Sequence, residues 1–352
     1  MVNGFTLRRL FLYLPHNHSR PQHPAIMKTK LLLITALLAS GIAYAFGQGG
    51  APMVTPTPPT LETFAFVTDG TNSRFPLQWA VFLPPTATPR PAVLVIFGGE
   101  FKEGNRSYVY SYAAQIAAQG FVALAIDYRT DLPNNFTMQQ TPVYAPPANP
   151  NQPGDVKMAV SAARTGLLPS PTPGTQSIIY GRITGKVGAV GGSSGASHAL
   201  WCAATGSLST DRLDAAVLFS GAYKFDDNQS LGWQGDPSCT YLNGINFCPD
   251  VSRYCQVIPP NCTSTLQGAL HAGSPIYQVG ADGSIPSPLY WVSDPGDLIT
   301  PFQYWDLAAV IESLHLGPPA YTGVMLTGCG HGFENWQAQK TAVIHWLQDR
   351  LY

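Results

Sequence analysis

Charge is what this sequence has least of. Asp, Glu, Lys and Arg make up 11% of its 352 residues, against about 25% in an ordinary globular domain. The two signs cancel, 19 basic against 20 acidic, for a formal net charge of −1. Such a chain offers no electrostatic footprint to nucleic acid or to an anionic membrane, and no nucleic-acid partner is expected. A long apolar run is missing too. Leu31 to Ala39 is the best candidate, and it is shorter than the roughly 20 residues a membrane-spanning helix needs. The cysteines show neither C-x-x-C spacing nor a nearby His pair, which argues against a zinc site. Apolar residues are not scarce: at 45% they supply a sizeable core and exclude disorder as the main state. With 34 Gly and 32 Pro, the surface is expected to be built of turns and uncharged polar residues.

Compartment is read from the amino-terminal region. Met27-Lys28-Thr29-Lys30 precedes the apolar run, and Ala43-Tyr44-Ala45 follows it. A basic n-region, a short h-region and an A-x-A site are the parts of a secretory signal. The expectation is an upstream extension over 1–26, a signal peptide over 27–45 and a Pro-rich lead-in over 46–60. One domain then occupies 61–352, in a secreted or periplasmic protein with no stable membrane insertion once the signal is removed. An oxidising address suits the six cysteines. Cys239, Cys248, Cys255 and Cys262 crowd into one segment and are expected to pair among themselves, in one of three connectivities. Cys202 and Cys329 sit in apolar or Gly-rich surroundings and are expected to be buried thiols.

Short apolar runs alternate with helical patterns along the rest of the chain. Strands are expected at Leu61–Val67, Leu77–Leu83, Ala92–Phe97, Phe121–Ile126, Val187–Val190, Ala215–Phe219, Leu289–Val292 and Tyr321–Leu326. Helices are expected at Val109–Gln119, from a capping Asp155 to Arg164, and at Ser194–Thr205, Phe302–Leu316 and Trp336–Leu351. Thr130 to Pro153 reads as a loop. Continuous apolar strands separated by helices of about 10–15 residues point to an α/β fold, a mainly parallel sheet with helices on both faces. Tyr223 to Gly268 breaks the rhythm and is too long for a simple connection. It reads as a disulfide-stapled insertion serving as a lid or a wall of the site.

One five-residue stretch carries most of the chemistry. Gly191-Gly192-Ser193-Ser194-Gly195 is G-x-S-x-G, set between a strand and a helix as a nucleophile elbow requires. The sharp turn exposes Ser193 as nucleophile, and the N–H of Ser194 becomes one oxyanion donor. His331, after the last strand, is the expected base. His198, inside the following helix, is expected to point away from the elbow; His315 and His345 lie within helices, and His271 lies beyond the insertion. Between Ser193 and His331 stand Asp294 and Asp297. Asp297 is favoured as the orienting carboxylate, with Asp294 stabilising the Pro-Gly bend. Phe97-Gly98-Gly99-Glu100-Phe101 follows the third strand, where a second oxyanion donor belongs, so Gly99 or Glu100 is expected to supply it. A carboxylate at Glu100 opposes an oxyanion, so its side chain is expected to turn away. Phe101, Trp233 and Phe333 are candidate substrate-binding aromatics.

Taken together, these motifs resemble the serine esterases of the α/β-hydrolase family, most of all secreted carboxylesterases related to bacterial feruloyl esterases. The resemblance runs from about Leu77 to the end, excepting the insertion. It is carried by Phe97-Gly98-Gly99, Asp127-Tyr128-Arg129, Asp155 to Arg164, the elbow, Gly273-Ser274-Pro275, the Asp297 segment and Gly330-His331-Gly332-Phe333. Phe97 stands where that family has His, and Glu100 where a small residue is usual. The resemblance implies an α/β-hydrolase fold and hydrolysis of a small or polymer-borne ester, short-chain or aromatic-acid, through an acyl-enzyme with no metal or organic cofactor. A serine peptidase or acyltransferase would use the same triad. A non-enzymatic binding relative would normally have lost part of it.

Overall fold

The computed structural model describes residues 59–68, 74–130, 151–169, 174–226 and 267–352. The leader, Trp233 and the four clustered cysteines lie outside these residues. Eight strands make one sheet: β1 (Thr60–Thr68), β2 (Arg74–Phe82), β3 (Arg90–Ile96), β4 (Val122–Ile126), β5 (Ile183–Gly192), β6 (Ala215–Phe219), β7 (Leu289–Ser293) and β8 (Tyr321–Met325). Their order is β1-β2-β4-β3-β5-β6-β7-β8. β2 runs antiparallel to both its neighbours, and every other pair is parallel. Leu167–Leu168 and Thr175–Gln176 form a separate two-stranded ribbon.

Composition explains the layering. Every residue of β4, β6 and β7 is buried, as a parallel strand covered by helices on both faces must be. The helices are α1 (Tyr110–Ala117), α2 (Asn151–Thr165), α3 (Ser194–Ala204), α4 (Gln267–Gly273), α5 (Phe302–Ser313) and α6 (Trp336–Leu351). All of α3 is buried, wedged among β5, β6 and α2. α6 buries Trp336, Val343, Ile344, Leu347 and Leu351, a stripe at helical spacing. No helix among the described residues is long and apolar enough to cross a membrane.

Two expectations need correction. α2 begins at Asn151, so Asp155 is no cap; its carboxylate is buried and ion-paired with Arg129, Nη2 to Oδ1 at 2.7 Å. Pro153 and Gly154 look like helix breakers, but a proline in the first turn lacks only an N–H that would have had no helical partner. β5 starts at Ile183 rather than Val187. Its first residues alternate in exposure and only the second half is covered, so an apolar run marks just that half.

Parallel strands leave their carboxyl ends along one edge, where the chain turns back into helices and where open α/β sheets place their sites. Phe97 after β3, Ser193 after β5, Asp294 and Asp297 after β7, and His331 after β8 all fall there. The register of β3, β5, β6 and β7 holds them side by side.

Candidate active site

Ser193 joins β5 to α3 with φ 55 and ψ −125, a backbone region costly to any residue with a Cβ. Hydrogen bonds hold it there: Ser193 N donates to Phe219 O at 2.8 Å, and Ala196 N donates to Ser193 O at 2.9 Å. The flanking glycines are steric necessities. A Cβ on Gly195 would stand 2.4 Å from Ile96 O, and one on Gly191 2.3 Å from Gly195 O. The turn is therefore as tight as backbone contact allows, and it lifts the serine above the sheet edge.

Asp297 is fully buried, and its Oδ1 lies 2.6 Å from His331 Nδ1 while also accepting from Ile299 N at 2.9 Å. With Nδ1 committed to the carboxylate, Nε2 is the nitrogen left to take a proton. Asp294 closes the Pro-Gly bend as expected, its carbonyl oxygen accepting from Asp297 N at 3.2 Å, and it has a second task. Its buried carboxylate accepts from Gly328 N at 2.6 Å and Gly330 N at 3.0 Å, clamping the loop that carries His331. Gly332 N donates to Ser220 Oγ at 2.8 Å, and His331 N donates to Glu334 Oε2 at 2.9 Å. The expected buried thiol at Cys329 is also corrected: Cys329 is disulfide-bonded. Cys202, the other cysteine among the described residues, is free and buried, so the partner of Cys329 falls outside them. The Cys202 thiol fits its expectation, with burial pushing its pKa up to about 12.

Ser193 and His331 line one cleft of about 240 Å3 with Gly98, Gly99, Glu100, Gly192, Leu298, Gly332 and Phe333. No hydrogen bond joins Ser193 Oγ to the imidazole among the described residues; such bonds often tighten only once substrate is bound. The N–H groups of Ser194, Gly99 and Glu100 make no hydrogen bonds among the described residues. Tyr128 anchors the base of that loop. Its hydroxyl donates to Phe97 O at 3.0 Å and lies 3.3 Å from Ser194 Oγ, and the Phe97 and Tyr128 rings stack at 4.2 Å. Arg106 pairs with the buried carboxylate of Asp127 just behind.

The expected aromatics separate. Phe333 lines the cleft, stacked on Tyr112 at 4.5 Å. Phe101 does not; it is buried edge-on to His198 and Phe225, at 5.6 Å from each. Gln152 Nε2, which donates to Phe101 O at 2.6 Å, holds it inward. Trp233 lies outside the described residues. Leu298 is the wall residue that sequence reasoning missed, and its only signal was its place beside Asp297.

The rival histidines are elsewhere. His315 and His345 are exposed, and His271 pairs with Asp226 Oδ2 at 2.9 Å and stacks on Tyr277. His198 is fully buried, and burial lowers its pKa to about 3. The unfolded chain, with a histidine near 6.5, takes up a proton first as pH falls. Stability from this residue is therefore complete above about pH 6.5 and is lost on the way down to about pH 3. At pH 5 the loss is about 2 kcal/mol. His198→Leu should remove that part of the drop between pH 7 and pH 5 in urea unfolding; an unchanged drop would assign it to other groups.

No protein-family model and no curated protein matches the chain. Solved structures do. An esterase from the planctomycete Thermogutta terrifontis aligns at 16% identity over 83% of this chain and 92% of its own, TM-score 0.56. The same esterase with propionate bound aligns at 17% over 83% and 94%, TM-score 0.55. Its form phosphorylated by paraoxon aligns at 17% over the same shares, TM-score 0.54. The chain has an α/β-hydrolase fold, which this likeness shows at the level of architecture.

Proposed function

We propose that this chain is a serine-dependent carboxylic ester hydrolase. The observation that carries the reading is the convergence of a strained Ser193 and an Asp297-held His331 on one cleft beside uncommitted N–H donors. His331 Nε2 takes the Ser193 proton as Oγ attacks the ester carbonyl, and Asp297 stabilises the imidazolium that results. The N–H groups of Ser194 and of the Gly99–Glu100 loop receive the negative oxygen. His331 returns the proton to the departing alcohol, leaving an acyl-serine. Water attacks that ester by the same route, giving the acid and free enzyme.

A cleft of about 240 Å3 walled by Leu298 and Phe333 favours a short acyl group over a long chain. The esterase neighbour with propionate bound supports the same choice. A secreted or periplasmic address is proposed on the leader, and the disulfide at Cys329 supports it because such bonds persist in oxidising compartments.

The test is a p-nitrophenyl ester series from acetate to decanoate, with methyl ferulate and an aminoacyl anilide alongside. Fastest turnover at acetate to butyrate is expected. An optimum at long chains overturns the short-acyl choice, ferulate alone moves it to aromatic acids, and anilide cleavage alone makes the protein a peptidase.

A further inference from the structure

Glu100 is one of the residues lining the cleft, in the loop expected to stabilise a developing negative charge, and it carries a carboxylate. It also has φ 54, and Phe101 after it has φ 62, so two side chains in succession occupy a conformation that favours glycine. The turn is closed by Lys102 N and Glu103 N, both donating to Gly99 O, at 2.9 and 3.0 Å. Buried Phe101 pins it from below. This geometry carries Lys102 back over the loop, where its ammonium donates to Glu100 Oε2. Both side chains are partly shielded, 27% and 34% exposed, so solvent screens the carboxylate only in part.

We infer that Lys102 is a positioning residue for the oxyanion site: it holds and neutralises Glu100, so that the loop presents N–H donors without an opposing charge. This rests on the ester-hydrolase reading, because only a reaction that builds an oxyanion beside Gly99 senses the charge. Strain at Glu100 and Phe101 is then what sets carboxylate and ammonium together at the rim. The transition state gains negative charge that the bound ester lacks, so the effect belongs in kcat rather than KM.

The experiment compares the wild type, Lys102→Met, Glu100→Gln and the double variant on p-nitrophenyl acetate, each scaled to active sites counted by paraoxon. Lys102→Met is expected to lower kcat about tenfold with KM nearly unchanged. Molar sodium chloride should restore part of it by screening the bare carboxylate. Glu100→Gln alone should not lower kcat, because it removes the carboxylate that opposes the oxyanion. The double variant should recover to within about twofold of wild type. Unaltered kcat in Lys102→Met overturns the inference. So does a double variant as slow as Lys102→Met, which would make the lysine's role one of loop folding. A wild type that turns over no ester overturns the ester-hydrolase reading and this inference with it. An active wild type whose variants fail the pattern overturns the inference alone.

Discussion

Ser193→Ala should abolish ester turnover, lowering kcat on p-nitrophenyl acetate by at least about a thousandfold. The loss is that large because the nucleophile goes while the N–H donors and cleft stay. What remains is electrostatic stabilisation of attack by water. Alanine carries the same Cβ as serine, so the strained φ of 55 is neither relieved nor worsened, and thermal unfolding should be nearly unchanged. Paraoxon offers a second readout that needs no turnover. Ser193 Oγ attacks phosphorus and p-nitrophenolate leaves, so intact mass should rise by one diethylphosphoryl group in the wild type and not at all in Ser193→Ala. A variant that keeps its esterase rate, or takes up the label, would remove Ser193 from the mechanism.

Asp297→Asn should cost on the order of a thousand to ten thousandfold in kcat, with a fold close to native. An amide can still meet His331 Nδ1, but it either favours the wrong tautomer or cannot compensate the imidazolium. Asp294→Asn is the informative contrast. Its carboxylate takes two backbone N–H bonds from Gly328 and Gly330, and an amide can accept only one of them while turning its NH2 toward the other. The expected result is about 1–3 kcal/mol of lost stability and a rate loss of roughly tenfold through a loosened histidine loop. Steady-state kinetics with urea unfolding separate the two. A larger rate loss in Asp294→Asn than in Asp297→Asn would exchange their roles.

Much of this protein was legible before any coordinates. Alternating apolar runs and helical stripes placed the eight strands in their observed sequence order, because a strand covered on both faces has to be apolar throughout. G-x-S-x-G between strand and helix placed Ser193, since its glycines answer a local steric demand. Chain order placed His331 near it. The start of α2 is not legible, because a proline signals a break without saying whether it falls in a first turn. Nor is the place of Phe101, since an aromatic side chain is equally at home in a cleft and in the core. A left-handed backbone at that position, invisible in the letters, sent it inward beside His198.

The sequence by itself determined the strand and helix order, the elbow and the residue types that chemistry requires, because each depends on neighbours a few positions away. Only the tertiary structure set Asp297 rather than Asp294 against His331, bound Cys329 into a disulfide, and brought Lys102 onto Glu100. The first joins segments far apart in the chain, across the sheet edge, where the Asp297 carboxylate meets His331 Nδ1 and that of Asp294 takes the N–H groups of Gly328 and Gly330. The second joins Cys329 to a cysteine outside the described residues. The third spans two residues, yet it needs two consecutive positive φ angles, which the closed turn and the buried Phe101 impose.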